Sequence, residues 1–278
     1  MNLFSLYLHF IHFAFRPALH WQDGAPDVPL ELCSSGPYPN EQWVERSARA
    51  LASIARTVSR HYYGCEPRYT GEDADREEYL HSLSSVEKVR RLIREMRRQL
   101  ATVKEDVLMD QDQLVFVDLA EGLTHRQRYT ALFFHMLMEE SGSCSVSIAC
   151  HFQAVNEGLI TVTPEEGALP AAEGQVFRAL SHHAGGRLLS VSPNHAVTKR
   201  ADGTVTASVV NASWDESLPV RLGLPEDSDC AEADLLTGDS VLPPSRFREE
   251  DVREEVRAGA IVLPPHSVLL LRFTPKNR

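Results

Sequence analysis

The sequence predicts a mixed α/β part followed by an all-β part, and two patterns along the chain carry this prediction. Between residues 30 and 184, short apolar runs alternate four times with amphipathic stretches of helical spacing. Such alternation favours parallel strands joined by crossover helices. After Arg187, short apolar runs alternate with Gly, Pro and Asp turns, as in a β-sandwich. We therefore predict an N-terminal segment at 1–29, an α/β domain at 30–184 and a sandwich at 185–278.

The first strand, the first helix and the second strand are expected before residue 84. The apolar run 30–34 is predicted as a strand, and Asn40 should cap a helix over 41–54. Residues 57–64 are rich in β-branched and aromatic types, which favours a second strand. The polar, acidic stretch 65–83 is predicted as a long loop of the kind that often carries function.

A second helix is expected to start at Ser84, because Ser84-Ser-Val-Glu87 matches a capping box. Apolar residues recur at helical spacing from Val86 to Val103, and the basic residues between them are predicted to form the solvated face. The other expected elements of this part are a strand at 113–119, a helix at 124–138, a strand at 145–153 and a helix at 174–183. The expected strands of the sandwich are 205–210, 218–222, 260–263 and 267–273.

Composition excludes several classes of function. The net charge of −11 and the pI near 5.5 argue against a nucleic-acid partner, since phosphate binding needs clustered Lys and Arg. The five cysteines are scattered without a zinc-ligand spacing, which favours reduced thiols in a cytoplasmic protein. The pairs His182-His183 and His125 with His135 lack a metal-ligand pattern, so no metal or cofactor is expected.

The segment Met1–Phe15 is strongly apolar. It is too short to span a bilayer and lacks the basic n-region of a signal peptide, so we expect a buried element and no membrane partner. Secretion is the alternative, and only then would the Asn211-Ala-Ser213 sequon matter.

Three stretches of the sequence match motifs of one enzyme family in order and spacing. Arg60-His-Tyr-Tyr-Gly64 is similar to the family's S-L-H-x-Y-(Y/F)-G, and Ala149-Cys-His-Phe-Gln-Ala-Val-Asn156 is similar to A-N-x-A-Q-x-V-N. In the tail, Val209-Val-Asn-Ala-Ser, Leu235-Leu-Thr-Gly-Asp and Leu263-Pro-Pro-His-Ser-Val are similar to V-N-x-S, L-T-G and L-P-P-H-S-V. Together the three stretches span most of the chain, which therefore resembles the intracellular α-L-arabinofuranosidases, a family of glycoside hydrolases.

The resemblance implies a fold and an activity. The family has a (β/α)₈ barrel followed by a jelly-roll-like sandwich, so the four predicted strands would be the fifth to eighth of a partial barrel. The implied activity is hydrolysis, with retention, of terminal non-reducing α-L-arabinofuranosyl residues in arabinose-containing oligosaccharides. No cofactor is implied.

A retaining glycosidase needs two carboxyl groups about 5–5.5 Å apart. The family's nucleophile follows the seventh strand; aligning Asp118 with the family's Asp puts Leu119 at that position, whereas a shift of two residues puts Glu121 there. Glu121 is thus the candidate nucleophile, and a solvent-exposed Glu beside a Gly turn is the alternative. The family's acid/base is the Glu of an Asn-Glu pair after the fourth strand. Asn40-Glu41 instead opens a predicted helix, so no acid/base is assigned.

The resemblance also implies sugar-binding residues. His61 and Tyr63 match the sixth-strand pair of the family, and Gln153 matches the glutamine of the eighth strand. Hydroxyl, imidazole and amide groups can exchange hydrogen bonds with sugar hydroxyls. The alternatives are a buried, hydrogen-bonded histidine for His61 and ordinary barrel packing for Tyr63.

Three hypotheses of function remain open from the sequence. The chain is a hydrolase of this family, weak or inactive alone; or it is a non-catalytic sugar-binding remnant. The third hypothesis is an assembly component, which pairs with itself or with a separate chain that supplies the front half of the barrel.

Overall fold

The computed structural model describes eleven stretches of the chain: 30–33, 41–51, 55–63, 74–107, 114–120, 126–143, 146–152, 160–165, 167–223, 227–238 and 247–276. Its first elements are β1 (Leu30–Cys33), α1 (Glu41–Leu51), β2 (Ala55–Tyr63), α2 (Ala74–Val107), β3 (Leu114–Ala120), α3 (Arg126–Ser143) and β4 (Val146–Phe152). The four strands form one parallel sheet in the order β1-β2-β3-β4. The predicted alternation of parallel strands and crossover helices is confirmed for this part of the chain.

The remaining described elements are mostly antiparallel strands. They are β5 (Ile160–Thr163), β6 (Gly167–Pro170), α4 (Ala172–Ser181), β7 (Arg187–Ser192), β8 (His195–Lys199), β9 (Val205–Asn211), β10 (Leu218–Arg221), β11 (Ser228–Thr237), β12 (Arg248–Asp251), α5 (Arg253–Arg257), β13 (Ala260–Leu263) and β14 (Ser267–Pro275). Six of them form a sheet in the order β12-β11-β14-β9-β8-β7, while β10 pairs with β13 and β5 with β6. The fold therefore mixes a parallel α/β part with antiparallel sheets.

Both faces of the six-stranded sheet are covered. On one face, Val210, Leu236, Val268 and Leu270 join the core made by the helices α1 to α4. On the other face, a second core contains residues of β13 and α5 beside Leu269 and Leu271. Because consecutive residues of β14 point into different cores, this strand is a continuous apolar run, which is why the sequence pattern identified it. The predicted boundary near Gly185 falls in the turn between α4 and β7.

The helix α2 begins at Ala74, ten residues before the predicted start at Ser84. The hydroxyl of Ser84 donates to the carbonyl of His81 at 2.6 Å, and Ser85 donates to the same carbonyl at 3.3 Å. These bonds run back along the helix, so the capping-box interpretation was wrong. Tyr79, in the stretch predicted as a loop, is only 1% exposed, and its burial explains why the acidic residues before it are helical.

Arg90 contradicts the prediction that the basic residues of this helix are solvated. It is 6% exposed, and its guanidinium donates to Glu139 at 2.7 Å and to Glu140 at 3.0 Å on α3. Arg94 also pairs with Glu140, at 2.7 Å. The acidic end of α3 thus neutralises a buried arginine, and the alternating charges of α2 gave no sign of this partner helix. Lys88 is exposed, in agreement with the prediction.

Several strands were not predicted: β5 to β8, β11 and β12. In β7 and β12 most side chains are exposed or half-buried, so these strands lack an apolar alternation. In the described part of the chain, no helix is long and apolar enough to cross a membrane.

Candidate functional site

The carboxyl ends of β2, β3 and β4 lie side by side at one edge of the parallel sheet. Tyr63, Ala120 and Phe152 are the last residues of these strands, and their Cα positions pair across the sheet. Two residues earlier, His61 pairs with Asp118. In sheets built from β/α units, the loops after the strands gather at this edge, where ligands bind. We take this edge as the candidate functional site.

The predicted sugar-site residues fall at or just after these strand ends. His61 and Tyr63 both belong to the last three residues of β2. Glu121 and Gln153 lie outside the described residues; in the sequence, Glu121 follows directly after Ala120 and Gln153 directly after Phe152. The roles assigned to all four residues stay predictions.

The two registers considered for the nucleophile differ in where they fall on β3. Leu119 lies inside the strand, where it pairs with Tyr62 of β2 and His151 of β4. Glu121 is the first residue after the strand in the sequence. Glu41 is the first residue of α1, in agreement with the prediction that a helix begins there, whereas Asn40 lies outside the described residues.

A buried polar chain crosses the interface between α3 and the six-stranded sheet, and the sequence gave no sign of it. His135 contacts the carbonyl of Pro193 through Nδ1 at 3.1 Å and Ser208 Oγ through Nε2 at 2.7 Å. His183 contacts the same Ser208 Oγ through Nε2 at 2.9 Å and Thr198 Oγ1 through Nδ1 at 3.0 Å.

Hydrogen-bond chemistry fixes the direction of this chain. The Pro193 carbonyl can only accept, so His135 Nδ1 carries a proton and its neutral Nε2 accepts from the Ser208 hydroxyl. Ser208 has a single proton, so His183 Nε2 must donate to it, which leaves His183 Nδ1 to accept from Thr198. Burial lowers the pKa of His135 and of His183 to about 4, so both rings are neutral near pH 7. We therefore assign these two histidines a structural role.

An acidic pocket of about 230 Å³ lies beside α4, against the same sheet. Glu232 and Asp234 of β11 line it together with Glu249 of β12, and Arg178 of α4 donates to Glu249 at 2.6 and 2.7 Å. Burial, and next the neighbouring charge of Glu232, raises the pKa of Asp234 to about 6. Among the residues that the structure describes, no group of three or more His, Cys, Asp or Glu side chains has the arrangement to hold a metal ion.

The tail motifs of the resemblance meet at one end of the six-stranded sheet. Ser267 of β14 pairs with Asn211 of β9 on one side and with Thr237 of β11 on the other. The amide Nδ2 of Asn211 donates to the carbonyls of Glu216, Leu263 and Pro264 at 2.8 to 3.1 Å. These motifs therefore hold the sheet together. Asn211 is only 4% exposed, which makes its sequon inaccessible in the folded chain.

Aromatic contacts tie this sheet end to α2. Tyr79 donates its hydroxyl to the carbonyl of Ala212 at 2.8 Å. Its ring lies 5.6 Å from that of Trp214 and 5.1 Å from that of His266, centroid to centroid. The V-N-x-S and L-P-P-H-S-V motifs thus also fix how the α/β part packs against the antiparallel sheet.

Comparison with known proteins supports the glycoside hydrolase fold. No protein-family profile and no curated sequence matches the chain. Among solved structures, AbfB, a family 51 α-L-arabinofuranosidase from Bifidobacterium longum, matches with a TM-score of 0.73 at 15% identity, over 92% of this chain and 62% of that one. The α-L-arabinofuranosidase of Thermotoga maritima, in complex with arabinose, matches with a TM-score of 0.67 at 15% identity, over 92% and 59%. The thermostable GH51 α-L-arabinofuranosidase of Thermotoga petrophila RKU-1 matches with a TM-score of 0.68 at 15% identity, over 95% of this chain and 61% of that one.

The chain thus spans about three fifths of the length of these structures. At this identity the likeness shows the fold alone. Over the matched length, the chain has the fold of family 51 α-L-arabinofuranosidases, in agreement with the resemblance found in the sequence.

Proposed function

We propose that the chain carries part of a retaining α-L-arabinofuranosidase site at the carboxyl ends of β2, β3 and β4. One observation carries the proposal: Tyr63, Ala120 and Phe152 end three neighbouring parallel strands in one row. The next residues in the sequence after Ala120 and Phe152 are Glu121 and Gln153. When neighbouring strands end side by side, the loops that follow them begin close together, so that one sugar could contact residues of several loops.

In this proposal Glu121 is the nucleophile. Its carboxylate attacks the anomeric carbon of a terminal arabinofuranosyl residue, and the bond from that carbon to the leaving oxygen breaks. Water then hydrolyses the glycosyl ester, which releases arabinose with retained configuration. His61, Tyr63 and Gln153 bind the sugar hydroxyls. No metal takes part in these steps.

The acid/base partner has no assigned residue, which predicts a dependence on the leaving group. A nitrophenolate leaves without being protonated, whereas a sugar alkoxide needs a proton from a general acid. We therefore expect slow turnover of an aryl α-L-arabinofuranoside and far weaker hydrolysis of an arabino-oligosaccharide.

The test is release of nitrophenol from nitrophenyl α-L-arabinofuranoside by the parent chain, by Glu121→Gln and by the control Glu254→Gln. Glu254 lies on α5, away from the parallel sheet. We expect the loss of a nucleophile to lower kcat/KM by at least about a hundredfold for Glu121→Gln, with no change for Glu254→Gln. Equal rates for all three would reject Glu121 as the nucleophile.

An assembly function is a second candidate, favoured by the edges of the parallel sheet. Among the described strands, β1 and β4 each pair on one side only, and unpaired edges of a buried parallel sheet invite further strands. The added strands would come from a second copy or from a partner chain. Sedimentation equilibrium over a hundredfold range of concentration tests self-association; a constant monomer mass would reject it. Binding of arabinose without any turnover would favour the sugar-binding alternative.

A further inference from the structure

A groove of about 600 Å³ opens between α3, α4 and the six-stranded sheet. Its lining is mainly apolar: Phe134 and Met138 from α3, Phe177 and Leu180 from α4, and Leu188 from β7. The rings of Phe134 and Phe177 meet edge to face, with 5.3 Å between centroids. No Asp, Glu, Lys or Arg is among its described lining residues.

The groove lies at the edge of the parallel sheet opposite the candidate functional site. Residues in the last turns of α3, including Ser141, line the groove, and α3 ends just before β4 begins. The C-terminal end of a helix that precedes a strand lies at the amino end of that strand, so the groove is near the amino ends of the parallel strands. In a parallel sheet, the amino end of β1, at Leu30, lies at the same edge.

We propose that the segment Met1–Phe15 of the same chain covers this groove. The segment contains Phe4, Phe10, Phe13 and Phe15; it includes two histidines but no Asp, Glu, Lys or Arg. A groove and a segment that both lack Asp, Glu, Lys and Arg fit one another, because no carboxylate, ammonium or guanidinium side chain has to be desolvated. His183, which also lines the groove, is hydrogen-bonded through both ring nitrogens and therefore needs no polar partner from the segment.

The chain between the segment and the sheet is long enough for this contact. Residues 16–29 separate Phe15 from Leu30, and an extended chain spans up to about 3.3 Å per residue, or roughly 45 Å. Crossing from β1 to β4 takes three strand spacings of about 4.8 Å each. Being tethered, the segment also has a high effective concentration at the groove compared with a second molecule.

The first test is a photo-crosslinker. The full chain is made with p-benzoylphenylalanine in place of Leu188, irradiated, digested and analysed by mass spectrometry. The matched control carries the same group at Val262, which is 62% exposed on β13. We expect cross-links from position 188 to peptides within 1–15 in material of monomer mass, and none to that segment from position 262. Cross-links between two molecules, or cross-links that never reach residues 1–15, would overturn the proposal.

The second test changes the segment and leaves the groove intact. In the full chain, Phe10→Asp with Phe13→Asp should release the segment, and the apolar control Phe10→Leu with Phe13→Leu should retain it. We expect amides of 134–141 and 177–188 to exchange hydrogen roughly tenfold faster in the Asp variant than in the Leu variant, since a covered surface is protected. Amides of β11 and β14 should be unchanged. Equal exchange in both variants would overturn the proposal.

Discussion

Two buried histidines illustrate how single residues link packing to pH. His135 and His183 share Ser208 as a hydrogen-bond partner, and each ring is neutral in the directed chain described above. Adding a proton to His135 Nε2 would turn an acceptor into a donor facing a hydroxyl that already donates. A second proton on His183 would do the same towards Thr198. Protonation therefore breaks the chain at either ring.

We predict that the chain loses stability below about pH 6.5. The pKa of each histidine is about 4 in the folded chain, against 6.5 as the ordinary value. Between pH 6.5 and 4 the histidines take up protons in the unfolded chain and stay neutral in the folded chain. The fold is therefore most stable above pH 6.5, and this stability is lost as pH falls towards 4. Urea unfolding from pH 7 to 4.5 measures the effect. His183→Asn should reduce the slope of stability against pH, and an unchanged slope would contradict this assignment.

Asp234 should change the stability of the fold with pH in the opposite direction to the two histidines. Its pKa is raised by folding to about 6, so the stabilisation that the protonated carboxyl gives at low pH is lost as pH rises through 6. At pH 7 the charged side chain is a cost, and Asp234→Asn should stabilise the chain by about 1 kcal/mol, since water screens this half-buried group. Urea unfolding at pH 7 and pH 4 measures it, with the exposed Asp215→Asn as control. A gain that is as large at pH 4 as at pH 7 would argue against the titration of Asp234 as its cause.

At the scale of elements, α2 and α3 are joined by a buried ion network. Glu140 has no exposed surface and binds both Arg90 and Arg94. By contrast, Glu95 binds Arg98 within α2 at 2.7 Å, on the surface of the helix. The nitrogen–oxygen distances are similar at the two sites, but only Glu140 is fully buried. Comparing the two glutamates therefore separates the effect of burial on stability from that of the ion pair itself.

We predict that Glu140→Gln lowers the free energy of unfolding by about 2 kcal/mol, because Arg90 and Arg94 lose their shared buried carboxylate and Arg90 keeps only the more exposed Glu87 and Glu139. Glu95→Gln should cost less than about 1 kcal/mol, as for an exposed pair. Urea unfolding of both variants at one ionic strength gives the comparison. Equal losses would show that burial does not decide the cost.

The elements that the sequence predicted well are those with apolar runs or helical periodicity. The strands β2, β3 and β4 were identified to within two residues, because β2 is rich in β-branched and aromatic residues and β3 is a nearly continuous apolar run. The start of α2 was missed because Tyr79 finds its partners, Ala212 and Trp214, in a distant part of the chain. Local propensity could not supply that contact.

The candidate site divides in the same way. His61 and Tyr63 were found from a local motif, and the structure places both near the carboxyl end of β2. The pairing of His61 with Asp118 needs the register between β2 and β3, which sequence patterns do not give. The polar chain through His135 and His183 joins residues 73 and 25 positions from Ser208, so no short motif could indicate it.

In the described part of the chain, one hydrophobic core contains residues from both sides of the predicted boundary near Gly185. Leu270 of β14 is 2% exposed and belongs to the same core as Phe133 and Met136 of α3. We therefore predict that Leu270→Ala lowers the free energy of unfolding by about 2–5 kcal/mol. Helical circular dichroism and the fluorescence of the tryptophans should report one common transition, shifted together in the variant. Two separate transitions would instead support independent domains at 30–184 and 185–278.

The bond from Tyr79 to Ala212 spans 133 residues, and it has a consequence for synthesis of the chain. A ribosome makes the helices α2 and α3 well before β9 and β14, the strands that complete their core. Because synthesis proceeds at about 5–20 residues per second, the apolar faces of these helices stay without their final partners for several seconds. Nascent chains of this protein should therefore depend on chaperones during that interval, and synonymous codons that slow translation after α3 should lower the yield of soluble protein.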